Sequence, residues 1–308
     1  MADGAGFDGA TLVPDKVAAD PGDWMQACLA AMPCQAGDSG AARLAVGHLV
    51  RTIEQEVIPR LAQAHRATGA ASEPVSAVVS PTDVQSFVAR VLGGSEADVL
   101  GLVEHLRRRG LTVQAVYLEL LAPAARVLGA LWDRDLCDFP SVTVALGRLQ
   151  RLLRELSPDF SRGADTPRHA HRVLLAQPPH EQHSFGLSMV AEFFRRDGWT
   201  VEGGVGTAAV DPAARVQVDW FDVVGFSVGS QTRLEWLRQK IAAVRLVSRN
   251  PALVVMVGGP LFTLHPEWVA QVGADASSQD ASDAPRQATL LVAEAVAAES
   301  LPLRSDHA

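Results

Sequence analysis

The chain has 308 residues, 48% of them hydrophobic, and its 27 Lys and Arg against 35 Asp and Glu leave a net charge of −8 at pH 7. That length has room for two domains, or for one domain with an attached layer, and the apolar share can fill a real core. The acidic balance argues against non-specific nucleic-acid binding, which rests on basic surface.

Residues 1–75 are acidic as well, with five Lys or Arg against nine Asp or Glu, so a basic helix-turn-helix is not expected there. The opening MADGAGFDGATLVPD has neither the basic start nor the apolar run of a secretion signal. No uncharged apolar stretch approaches the roughly 20 residues that cross a bilayer, and a cytoplasmic location without membrane contact is expected. Cys28, Cys34 and Cys137 are odd in number and read as reduced thiols, Cys137 as a small hydrophobe in preference to a redox switch.

In chain order, residues 1–40 are rich in Gly, Ala, Asp and Pro and read as disordered. Leu44, Leu49, Ile53, Val57, Ile58 and Leu61 suggest a helix, followed by a linker to residue 75. Residues 76–160 read as a four-helix bundle. Thr82 and Ser95 are candidate N-caps, Ser95 and Asp98 form a capping-box pattern, and Gly110 stands where a glycine ends the second helix. A third helix runs from Thr112 toward Trp132 with a kink or break near Pro123, and a fourth from Ser141 to Leu156.

After a linker at 161–167, residues 168–300 alternate apolar strand-like runs with helical patterns, and 301–308 are a tail. Strands are expected at 172–177, 200–203, 222–228, 252–257 and 273–276, with helices at 185–197, 211–217, 232–248, 266–271 and 286–299. Five βα units with unalternating strands indicate a parallel sheet covered on both faces.

The loop His180-Glu181-Gln182-His183-Ser184-Phe185-Gly186 falls at the carboxyl edge of that sheet, where open α/β folds bind ligands. A neutral imidazole there can hold a metal while a carboxylate such as Glu181 fixes its other N–H. Equally, Glu181 or Ser184 could cap the following helix. The order H-E-x-x-H of zinc proteases is not met. Two further strand-end loops, Ser227-Val228-Gly229-Ser230 and Gly258-Gly259, keep side chains short, so a long ligand group could lie in a slot there.

Taken in order, E-x-H-x-x-G, then Ser227, then Gly258-Gly259 resembles the cobalamin-binding domain family, whose usual pattern is D-x-H-x-x-G, S-x-L and G-G. The resemblance implies an α/β, Rossmann-like (flavodoxin-like) domain with a five-stranded parallel sheet, carrying cobalamin, preceded by the four-helix bundle as a cap. It implies His183 as the lower cobalt ligand in place of the cofactor's own benzimidazole, and Glu181 as its orienter. Gly186, Ser227 and the neighbouring Ser184, Gly229 and Ser230 would contact the cofactor and its nucleotide tail, with Gly258 and Gly259 as the slot wall. Glu181 stands where aspartate is commoner, and Gly229 where leucine is usual.

Leu128-Gly129-Ala130-Leu131-Trp132 with Asp138-Phe139 is similar to the cap of cobalamin sensors and methyl carriers, which implies Trp132 over the upper face; the alternative is a tryptophan in the bundle core. In the light-dependent repressor CarH a Glu-His pair follows this Trp, and here Val142-Thr143 stand instead. The string Val142 to Gln150, together with Glu56 to Leu61, resembles the AerR/PpaA group of antirepressors. That resemblance implies a non-enzymatic, light- or redox-responsive regulator of photosynthesis genes acting on a CrtJ/PpsR-type repressor. The alternatives are a corrinoid methyl carrier, a haem sensor using His183 or His180, and a flavodoxin-like fold without ligand. A mutase does not fit, because a barrel of about 250 residues has no room before residue 170.

Overall fold

A computed structural model describes residues 78–162, 171–179, 181, 184–204, 211–278 and 280–299. The expected N-terminal segment and helix, Cys28, Cys34, His180, His183 and the C-terminal tail lie outside the described residues.

The first half is helical. α1 (Pro81–Gly93) and α2 (Glu96–Arg108) each begin at a serine whose hydroxyl accepts from the amide of an aspartate three residues on, while that aspartate accepts from the serine's amide. Ser95 with Asp98 was the expected box; the cap of α1 is Ser80, not Thr82, with Pro81 in the first turn, where its missing N–H costs nothing. Gly110 follows α2 at φ 99. Arg107 of the basic run pairs with Asp159 at 2.8 Å.

α3 runs unbroken over Val113–Asp133. Pro123 does not break it. Instead Val116–Leu121 form a π-helical turn, with the Ala122 amide donating five residues back to Tyr117, which accommodates a proline that lacks an N–H and crowds the carbonyl four residues before it. α3 is the one described helix long and apolar enough to cross a membrane, and its Val116, Tyr117, Leu120, Leu121 and Leu128 form the centre of the bundle core. α4 (Phe139–Arg162) completes the bundle, longer than expected at both ends.

The second half is a doubly wound sheet. Strands β1 (Arg172–Ala176), β2 (Thr200–Gly203), β3 (Val223–Ser227), β4 (Val254–Gly258) and β5 (Ala276–Ser277) are all parallel in the order 2-1-3-4-5. Helices α5 (Ser184–Arg196), α6 (Pro212–Val218), α7 (Leu234–Val247), α8 (Pro260–Leu264), α9 (Trp268–Val272) and α10 (Ala284–Glu299) connect and flank them. Alternate strand residues serve opposite cores: Val173, Leu175 and Met256 meet α5 and α10, while Leu174, Val224, Phe226 and Val255 meet α6 and α7. β5 is shorter than expected, because Gly273 is spent ending α9 in the left-handed conformation (φ 82). α8 escaped the sequence reading.

The halves share one core through α5. Phe185, Met189 and Phe193 belong to the bundle's cluster, and Tyr117 of α3, Phe160 of α4 and Phe193 of α5 meet with ring centroids 4.6 to 6.4 Å apart. Each such ring removed from water is worth roughly 1.5–3 kcal/mol. Polar pins flank the cluster: the Tyr117 hydroxyl donates to the Leu153 carbonyl at 2.9 Å, and the Ser157 hydroxyl to buried Glu192 at 2.5 Å.

Burial pushes the Tyr117 phenol well above its ordinary value of 10.0, and the nearby carboxylates of Glu192 and Asp159 push the same way. The unfolded chain therefore loses this proton near pH 10 while the folded one keeps it, so stability falls as pH rises past about 10. Tyr117 is the only tyrosine in the chain, so alkaline ultraviolet titration reads it alone. Phenolate absorbance should appear only together with loss of helical circular dichroism; ionisation near pH 10 in folded protein would mean the ring is not buried in this hub.

Candidate functional site

The strand order reverses between β1 and β3, which opens a crevice at their carboxyl ends. The loop leaving β1 is held on every side that the described residues reveal. Pro178 and Glu181 close a turn (amide of Glu181 to carbonyl of Pro178, 3.2 Å), and Gln177 Nε2 donates to the Glu181 carbonyl at 3.2 Å. The Glu181 carboxylate crosses the crevice and accepts from the Gly229 amide at 3.2 Å. Ser184 opens α5, and its hydroxyl accepts from Gln150 Nε2 of α4 at 3.0 Å. His183 itself lies outside the described residues. Its chain neighbours are thus anchored to two different layers, Glu181 to the sheet edge and Ser184 to the bundle.

The small residues divide into two kinds. Ser227 ends β3 opposite Gly258 of β4. Gly259 has φ 105, and a Cβ there would stand 2.5 Å from the Val228 carbonyl oxygen. Its glycine is therefore required by the backbone alone. Gly225, which the sequence reading did not single out, is bounded by Leu175, whose Cδ2 would lie 2.8 Å from an added Cβ. Gly258 and Gly186 are different: an added Cβ on Gly258 would meet only the Ser278 carbonyl oxygen, at 3.7 Å, and one on Gly186 nothing within 4 Å. These two leave real space. Ser230 is engaged locally, capping a short 3-10 turn through Thr232. Beyond Gly258 an open cavity of about 570 Å³ is lined by Ser278, Asp280, Asp283, Arg286, Gln287 and Leu290. The Ser- and Asp-rich stretch after β5 was the signal for it.

α4 supplies the opposite wall. At about 100° per residue, Phe139, Thr143, Leu146, Gln150 and Ser157 fall within about 60° of one stripe. Ser157 and Gln150 on that stripe bond Glu192 and Ser184, so α4 and α5 run in the same sense and α5 begins level with Gln150. The eleven residues from Gln150 back to Phe139 therefore overhang the loop before α5 by about 16 Å. On this overhang Phe139 and Thr143 are exposed, Leu146 is half-buried, and exposed Gly147 has open space around it.

Trp132 sits at the tip, its ring centroid 5.6 Å from that of Phe139 in an edge-on pair. It is 41% exposed, so the reading of it as bundle core is overturned; Tyr117 and the leucines of α3 fill that place. Of the pair standing where CarH has Glu-His, Val142 is buried in the core and Thr143 faces outward. Cys137 is half-buried against the bundle. His265 stacks on Trp268 at 4.0 Å, and His171 packs on Trp199.

Residues 171–288 match the B12 binding domain family. The chain is 30% identical over 181 residues to a Rhodobacter capsulatus protein described as an uncharacterized 20.5 kDa protein in the bchF-crtJ intergenic region, covering 59% of this chain and 94% of that protein. Among solved structures it is similar to the Methanosarcina barkeri monomethylamine corrinoid protein, with a TM-score of 0.57 at 13% identity over 68% of this chain and 98% of the other. That likeness speaks for the fold.

Two substitutions separate scaffold from space. Gly259→Ala should destabilise the protein by more than about 2 kcal/mol in chemical denaturation, since it adds a strained φ to a backbone clash. Gly186→Ala should leave stability unchanged or slightly raised while weakening cofactor binding. Equal effects of the two on stability would contradict this division.

Proposed function

The chain is a cobalamin-binding protein, with its B12 binding domain over residues 171–288, and belongs to the same family as the Rhodobacter capsulatus protein; on that premise we propose that it is a regulatory sensor and not an enzyme. The observation that carries the reading is the overhang of α4. Whatever lies between it and the sheet edge touches the bundle and the ligand loop at once, and these are already tied through Gln150 and Ser184.

The residues present fit the cofactor. Open space at Gly186 and Gly258 admits a bulky group and its tail, the bare stripe from Phe139 to Gly147 offers an apolar cover, and the sequence supplies a histidine of ligating chemistry between Glu181 and Ser184. In this reading His183 would hold cobalt, Glu181 would set the loop, Ser227 and the glycines would border the tail, and Trp132 with Phe139 would cover the cofactor. Bound cobalamin supplies a cobalt ligand that light or redox state can change. Thr143 and Trp132 would feel that change, and α4 would pass it to the bundle. A ligand can shift such an equilibrium only by as much as its contacts differ between two states, and the Trp132–Phe139 pair is placed to supply the difference.

For the partner we propose a repressor of the CrtJ/PpsR type, reached in the cytoplasm without direct nucleic-acid contact. The relative in the bchF-crtJ intergenic region supports a photosynthesis-gene setting, and the net charge of −8 supports a protein partner over DNA. Haem is set aside by the B12 match.

The test is binding of the cobalamin-loaded protein to the repressor, in the dark and after illumination. Affinity should differ at least fivefold between the two, with a change in the absorption spectrum. Trp132→Ala should keep the cofactor but shrink that difference. No spectral change, or methyl transfer from a methyltransferase onto cobalt with repressor binding indifferent to light, would replace the sensor with a methyl carrier.

A further inference from the structure

Gln177 is the residue directly after β1, at the carboxyl edge beside the crevice. Its Nε2 donates to the Glu181 carbonyl. A carbonyl only accepts, so this bond fixes which way the amide faces. The other end, Oε1, is buried and has no hydrogen-bond partner among the described residues. Buried acceptors are nearly always paired, and one left without a donor is costly. The other orphan among the described residues is Trp199 Nε1, at the amino end of the sheet, where Thr200 bonds back to His171. Gln177 is thus the orphan at the end of the sheet that faces a ligand.

We propose that Gln177 positions the cofactor, its Oε1 accepting a hydrogen bond from an amide N–H of cobalamin. The chemistry matches: the rim of a corrin ring carries primary amides, and its nucleotide arm carries a secondary one. Serine and glycine at the neighbouring loops offer space, whereas Gln177 offers a directed acceptor held by its own second bond. It acts on the loop and on the cofactor together, since the same side chain braces the Pro178–Glu181 turn.

Two variants of the full chain separate this from a bracing role alone, titrated in the dark with hydroxocobalamin and followed by absorbance, with melting of the cofactor-free protein measured alongside. Gln177→Met removes both polar atoms at similar volume, and Gln177→Glu keeps the acceptor but loses the donor to Glu181. The expected result is about tenfold weaker binding for Met, the worth of one net hydrogen bond, with the cofactor-free melting point unchanged or raised, and binding by Glu clearly tighter than by Met. Met binding like the wild type, or Glu falling level with or below Met, overturns the proposal. If Met does not fold, the Glu variant decides: affinity within about threefold of the wild type supports the acceptor role, and a greater loss rejects it. No repressor enters this measurement, so its failure leaves the sensor reading standing.

Discussion

The packing of α4 on α5 is the constraint on which the rest depends. α5 belongs to the sheet by Leu187, Ala191 and Phe194 and to the bundle by Phe185, Met189 and Phe193. One helix is therefore buried on both sides, and the bundle cannot move as a whole without opening a core lined by Tyr117, Phe160 and Phe193. Ser157 with Glu192, and Arg196 over the Phe160 ring at 4.4 Å, would lose partners in the same motion. The half of α4 that α5 does not reach packs on the bundle through Ala145 and Leu149 and leaves Phe139 and Thr143 exposed.

That division gives the cofactor region its character. The lower half of the junction is dry, aromatic and doubly pinned; the upper half presents Phe139, Thr143 and Trp132 to open space. At the sheet edge, Glu181 is committed to the Gly229 amide across the crevice, which ties the loop after β1 to the loop after β3. A carboxylate one methylene longer than aspartate can make that reach from a tight turn, which gives the departure from the usual family residue a structural sense. Gly229, where leucine is usual, supplies the amide.

Legibility followed the range of the interaction. The Ser95–Asp98 box and the glycine after α2 were readable because both partners lie within one turn; the Ser80–Asp83 box carried the same signal and was passed over for Thr82. The sheet was readable through β1, β3 and β4, which are continuous apolar runs buried on both faces. Pro123 announced a disturbance, but whether a helix breaks or takes a π-turn is decided by the core that Tyr117 and Leu121 must fill. β5 was set too early and α8 was missed, because elements of two and five residues carry almost no period. The cofactor loops were legible as a spaced pattern, although the pattern could not tell Gly259, demanded by a backbone contact, from Gly186, which leaves room.

Trp132 shows where such reading ends. In sequence it was open to two readings, a cover over the cofactor by the resemblance or a place in the bundle core. The structure places it one step beyond, after the bundle has closed over Leu131 and before Asp135 turns the chain back at φ 54. An indole costs free energy when left half in water beside an equally exposed phenylalanine, and neither Trp132 nor Phe139 fills a place in the bundle. Both stand as exposed apolar side chains where α3 turns back into α4. The sheet-edge loops of the other half lie within residues 171–288, which match the B12 binding domain family.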